Sequence, residues 1–134
     1  MKVIVDTCVW SSVLRRDKIA NREIEKKLIA LILNNDALII GPIRQEILSG
    51  YSDKKKFNEL MNKLEAFPNL EIIDDDYILA AEFSNYCRKK GIQGSHIDFL
   101  ICAVAYRYKL PIFTTDKDFL NYSKYLDIKL LQRL

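Results

Sequence analysis

The sequence predicts an α/β fold, a three-layer α/β/α sandwich with a mostly parallel central sheet. Three observations carry that prediction. Short β-branched runs alternate with longer stretches of helical periodicity along the whole chain. The short runs are continuously apolar rather than alternating, as strands covered on both faces require. Their order, β-α-α-β-α-α-β-α-α-β-α-β, places helices between successive strands, the arrangement of parallel pairing.

The elements follow in turn. Residues 2–5 (KVIV) form the first strand, and Val9, Trp10 and Leu14 mark a short helix after it. Residues 21–34 place Ile24, Leu28, Leu31 and Ile32 on one helical stripe, with Asn21 as a cap. A strand at 37–40 (ALII) leads to a helix over 42–49, which starts with Pro42 and stops at Gly50. The helix over 53–66 repeats Phe57, Leu60, Met61 and Leu64 at helical spacing. A strand at 70–73 (LEII) precedes helices over 75–89, ending near Gly91, and 96–108. Strand 111–114 (PIFT), a short helix over 117–122 and a last strand at 128–131 (IKLL) close the series.

With 134 residues, 1–134 reads as a single domain large enough to bury a core. Hydrophobic residues make up 49% and charged residues 29%, a composition that folds rather than stays disordered. The net charge of +3 permits an acidic partner such as nucleic acid without requiring one. The N-terminus carries no signal-peptide pattern, and no apolar run approaches the ~18 residues a membrane span needs. A cytoplasmic protein without a membrane partner is the expectation. Cys8, Cys87 and Cys102 are odd in number and match no zinc spacing, so they read as reduced, mostly buried thiols.

Four acids stand in unusual places. Asp6 ends the first strand, where a helix cap is the ordinary explanation. Glu46 shares a helical stripe with Ile43, Ile47 and Gly50, where a rim glutamate paired with Arg44 is the ordinary explanation. Asp98 is the single acid of an otherwise apolar helix, in line with Ile101, Cys102 and Ala105. A desolvated carboxylate there needs a cation, a proton or hydrogen-bond donors. Asp116 ends the strand 111–114, and Asp118 follows it as a cap or rim residue. In a parallel sheet, the carboxyl ends of the strands are where ligands bind. Four carboxylates gathered on that edge repel one another unless a cation is present. Mg²⁺ or Mn²⁺ suits an all-oxygen donor set, and the chemistry such an ion supports is hydrolysis of a phosphodiester.

Other assignments fit less well. A haloacid-dehalogenase-type phosphatase also ends its first strand on Asp but wants a second Asp two residues on, where this chain has Cys8. A receiver-like phosphoacceptor wants a central Asp that "ALIIGP" lacks, and no Gly-rich phosphate loop is present.

The segments "VIVDTCVW", "GPIRQEILSG", "SHIDFLICAVA" and "FTTDKDF", in this order, resemble the motifs of PIN-domain ribonucleases, and among them the VapC-like toxins of type II toxin–antitoxin pairs. The resemblance spans essentially the whole chain. It implies a PIN-like fold and a Mg²⁺- or Mn²⁺-dependent endoribonuclease in which Asp6, Glu46, Asp98 and Asp116 are catalytic and bind the metal. Thr7 and Thr114 correspond to supporting hydroxyls, and Asp118 to a frequent supporting acid. Water would attack RNA phosphorus, with Glu46 or Asp116 orienting or deprotonating it. Arg15, Arg16, Lys18, Arg44 and Lys117 are then candidates for the flanking phosphates, whereas "DKKK" (53–56) and "CRKK" (87–90) read as solvated helix faces. His96 departs from the pattern and reads as a helix cap. The implied partners are an RNA substrate, a second copy in a homodimer, and a cognate antitoxin lying in a groove that Trp10, Leu14, Ile47 and Tyr51 could line. A housekeeping RNA-processing nuclease and a catalytically silent nucleic-acid-binding module are the alternatives.

Overall fold

The computed structural model of the chain describes residues 1–14 and 22–131. Strand β1 (Val3–Val5) lies at the centre of a three-stranded parallel sheet, flanked by β2 (Ala37–Leu38) and β3 (Ile112–Phe113). Ile4 stands in register with Leu38 on one side and Ile112 on the other. Three consecutive β1 residues, Val3, Ile4 and Val5, are all buried, so both sheet faces are covered and the α/β/α sandwich is formed.

Among the described residues the helices are α1 (Thr7–Leu14), α2 (Arg22–Leu33), α3 (Gly41–Ser49), α4 (Lys54–Leu64), α5 (Asp74–Lys89), α6 (His96–Tyr108) and α7 (Asp118–Ser123). Their ends follow local chemistry. Pro42 sits in the first turn of α3 with Gly50 beyond its end. The Asp53 carboxylate accepts from the Lys56 amide to cap α4. Ser95 Oγ accepts from the Asp98 amide at 3.1 Å to cap α6, and Lys109 closes that helix in the left-handed conformation at φ 56°. Ser95, not His96, is therefore the cap.

Two expected strands are reduced to single bridges. Segment 70–73 pairs only through Asn69 with Ile39, and segment 128–131 only through Leu130 with Ile112. The reason at the first is side-chain competition. The Glu71 carbonyl accepts from Arg107 Nη2 at 2.9 Å and from the Tyr108 hydroxyl at 2.9 Å. Arg107 also forms a forked pair with Asp76, whose side chain is 1% exposed. Burial raises the Asp76 pKa, but the hydrogen bond and charge of Arg107, with the Ile73 amide, outweigh it and hold the carboxyl below its usual value. No helix among the described residues is long and apolar enough to cross a membrane.

Candidate active site

The carboxyl edge of the sheet gathers the acids. Asp6 follows β1 directly: its amide donates to the Phe113 carbonyl of β3, and its carbonyl accepts from Val9 and Trp10 to open α1. The backbone is thus used up by sheet and helix, and the side chain is held separately. Oδ1 accepts from the Thr7 amide at 2.8 Å, while Oδ2 accepts from Thr114 Oγ1 at 2.8 Å and Cys8 Sγ at 3.5 Å. Asp6 is 6% exposed. Burial pushes its pKa up, these hydrogen bonds oppose the rise, and the Glu46 charge adds to it.

Thr114 joins two acids through one hydroxyl, which donates to Asp6 and accepts from the Asp116 amide at 3.0 Å. Asp116 Oδ1 in turn accepts from the Asp118 amide at 2.9 Å, fixing the entry to α7. Glu46 comes from α3. It is exposed, whereas Ile43 and Ile47 of the same helix are buried, so it flanks the apolar stripe instead of belonging to it. Its Oε1 accepts from Thr7 Oγ1 at 2.7 Å.

Asp98 lies in the first turn of α6, half-buried, while Ile101, Cys102 and Ala105 below it are buried. Its Oδ2 accepts from the Tyr122 hydroxyl at 2.7 Å. Burial raises its pKa, the Tyr122 and Ser95 hydrogen bonds lower it, and the neighbouring charges of Asp6 and Asp116 raise it. Burial and the bond to Asp98 push the Tyr122 phenol far above its usual range, so it remains a donor.

Among the described residues, Asp98, Asp116 and Asp118 each bring a carboxylate oxygen within 4.8 Å of the others. An all-oxygen donor set of this kind fits Mg²⁺ or Mn²⁺. Asp118 therefore stands with the ligand candidates more closely than a rim residue would. Asp6 and Glu46 lie outside that triple, Asp6 clasped by Thr7, Thr114 and Cys8, and Glu46 by Thr7.

The basic candidates separate. Arg15, Arg16 and Lys18 lie outside the described residues, as does Asn21. Arg44 does not face the acids: its guanidinium donates to Asn69 Oδ1 at 3.0 Å, to the Leu64 carbonyl at 2.8 Å and to the Phe67 carbonyl. It fastens α3 to the chain leaving α4. Lys117 is exposed between Asp116 and Asp118. Beside Glu46 and Thr7 opens a groove of about 910 Å³, also lined by Tyr77, Arg88 and His96. One residue of "CRKK" thus faces the groove and not only solvent. Trp10 and Ile47 are core residues; the Trp10 indole donates to the Val5 carbonyl at 3.0 Å and packs on Phe67.

Cys8 and Tyr122 also belong to the site, although neither is among the candidate residues of the four motifs. Cys8 Sγ accepts from the Thr115 hydroxyl at 3.2 Å and amide at 3.4 Å, close to Asp6. Its place two residues after Asp6, in the first turn of α1, is the signal that could have found it. Tyr122 gave no local signal, since it reads as the aromatic partner of Phe119 on a short helix.

No curated protein matches the chain in sequence. Solved structures match its fold. FitAcB from Neisseria gonorrhoeae is 24% identical with a TM-score of 0.78, covering 97% of this chain and 96% of that one. VapBC2 from Rickettsia felis, bound to a DNA fragment from its promoter, is 18% identical with a TM-score of 0.73, covering 98% of each. A toxin–antitoxin complex from Klebsiella pneumoniae is 17% identical with a TM-score of 0.67, covering 88% and 90%. The PIN domain family profile matches residues 3–125. With nearly the whole chain inside that match and the parallel sheet carrying acids on its carboxyl edge, the chain belongs to the PIN domain family.

Proposed function

We propose that the protein is a Mg²⁺- or Mn²⁺-dependent endoribonuclease and the toxin of a toxin–antitoxin pair. The observation that carries the nuclease reading is the carboxylate triple Asp98, Asp116 and Asp118, set beside buried Asp6. The antitoxin partner rests on the similar structures, which include a toxin–antitoxin complex. We place the enzyme in the cytoplasm, as one nuclease domain over residues 1–134 that works as a homodimer.

In this reading Asp98, Asp116 and Asp118 hold the cation, and the Asp6 carboxylate completes the negative field beside them. The cation, when bound, activates water and stabilises charge growing on the phosphoryl oxygens. Glu46, oriented by Thr7 and open to the groove, accepts the proton of the attacking water. The water oxygen bonds to phosphorus as the bond to the departing ribose oxygen breaks. Thr114 keeps Asp6 and Asp116 in fixed relation through the reaction. The RNA strand lies in the groove, where Arg88 meets a flanking phosphate; exposed Lys117, between Asp116 and Asp118, meets another beside the acids, and Arg15, Arg16 and Lys18 are further candidates for the same task. The antitoxin inhibits by occupying that groove.

The test is incubation of the purified protein with total RNA in Mg²⁺, in Mn²⁺ and in chelator, beside Asp98→Asn. Discrete cleavage is expected with metal and none in the variant. No cleavage by either protein, with no change of melting temperature in Mg²⁺, would overturn the reading and leave a nucleic-acid-binding module.

A further inference from the structure

We infer that Tyr122 is a positioning residue for the metal site, acting through Asp98. This rests on the reading of Asp98 as a metal ligand and names a residue that reading does not contain.

Tyr122 is 0% exposed, and its ring packs on Phe99 at 5.0 Å and Phe119 at 5.2 Å between centroids. Those contacts fix the ring on two sides. The hydroxyl is thereby aimed at Asp98 Oδ2, 2.7 Å away. Helix α7 carries Asp118 in its first turn and Tyr122 one turn later, so a single short helix brings a ligand candidate and also the donor that orients its neighbour. With Oδ2 engaged by the phenol, the carboxylate is held in one orientation, and with it the direction in which Asp98 offers its remaining lone pairs to a cation. Partners of this kind set the orientation of a metal ligand and are typically worth ~10- to 100-fold in metal affinity.

Gly94 supplies a second, independent mark of the arrangement. A Cβ built there would stand 2.3 Å from the Tyr122 hydroxyl oxygen and 2.9 Å from Phe99 Cε2. No side chain fits at position 94 while the phenol reaches Asp98. The backbone before α6 is thus shaped around the hydroxyl as well as around the ring.

A buried phenol also needs a partner merely to be stable, and metal binding separates the two roles. Tyr122→Phe keeps the ring and removes the donor. Its Mn²⁺ affinity, read by electron paramagnetic resonance of the free ion, is compared with wild type and Asp98→Asn, together with the melting temperature of each without metal. The expected result is a Kd for Mn²⁺ raised ~10- to 100-fold in Tyr122→Phe, with cleavage partly restored by added Mn²⁺. Gly94→Ala, which displaces the hydroxyl without removing it, should raise the Kd in the same direction and serves if Tyr122→Phe does not fold. A wild-type Kd in the folded variant overturns the inference, even if the melting temperature falls, because the phenol then only stabilises the core. Wild-type protein that binds no Mn²⁺, or Asp98→Asn that binds it normally, defeats the metal-site reading itself and the inference with it.

Discussion

Thr7 and Glu46, 39 residues apart, are joined by a hydrogen bond of 2.7 Å from hydroxyl to carboxylate. Through it the first helix holds the one acid of the site that comes from α3. Thr7→Val keeps the shape and removes the donor. The expected outcome is a fall in kcat of about 10- to 100-fold with KM for RNA little changed. The pair is exposed, so the melting temperature should move by no more than about 1–2 °C. Steady-state cleavage of a defined RNA, with thermal unfolding alongside, checks both.

Asp98 predicts a conflict between stability and function. Burial, with the charges of Asp6 and Asp116, raises its folded pKa above the ordinary 3.8. For such a group the stabilising contribution is present below the unfolded value and is lost as pH rises through the folded one. At neutral pH without metal, ionised Asp98 therefore destabilises the protein. Asp98→Asn should abolish cleavage yet melt higher than wild type in chelator. Mn²⁺ should raise the melting temperature of wild type and leave the variant unchanged. Differential scanning calorimetry in chelator and in Mn²⁺ decides it.

Asp76 has the opposite sign. Its folded pKa lies below the ordinary 3.8, held there by Arg107 against the effect of burial. Its contribution is complete above the unfolded value and disappears as pH falls through the lowered one. Acid unfolding of wild type should therefore include a component below about pH 4 that Asp76→Asn lacks. Breaking the pair takes the carboxylate from Arg107, which keeps its bond to the Glu71 carbonyl, and should lower stability at neutral pH, measured by urea titration, with cleavage per folded molecule unchanged.

Two arginines should behave differently, Arg44 being fastened to backbone and Asn69 and Arg88 lining the groove. Arg44→Ala removes three hydrogen bonds from a charged group and should lower stability by about 2 kcal/mol, with KM for RNA unaltered. Arg88→Ala should leave stability nearly intact, raise KM and reduce the salt dependence of RNA binding by about one charge. Filter binding over a salt series distinguishes them, and a flat response for Arg88→Ala would remove it from the RNA path.

Much of this was legible in the chain. The helices fall within a few residues of their periodicity, because Pro42, Gly50, Asp53 and Ser95 punctuate them locally. Segment 70–73 was misread because its apolar run resembles a strand, while what decides its state is Arg107 and Tyr108, more than thirty residues on. The same limit hid Tyr122, whose partner is 24 residues away, and misplaced Arg44, whose acceptors are two backbone carbonyls and the Asn69 side chain, none with a sequence signature. Strand ends announce acids by breaking an apolar run, but nothing in a run of letters announces which hydroxyl will reach them.

The strand bearing the last acids pairs directly with the strand bearing the first. Asp6 is held by Thr114, and Asp98 by Tyr122, so neither is in its final setting until the chain beyond β3 has joined the sheet. A polypeptide still emerging from the ribosome, folded up to α6, has Asp6, Glu46 and Asp98 but lacks the Thr114 and Tyr122 hydroxyls that reach the first and third, and lacks Asp116 and Asp118. On the proposed reading the cutting centre closes late in synthesis, so a half-made molecule leaves the RNA around it intact.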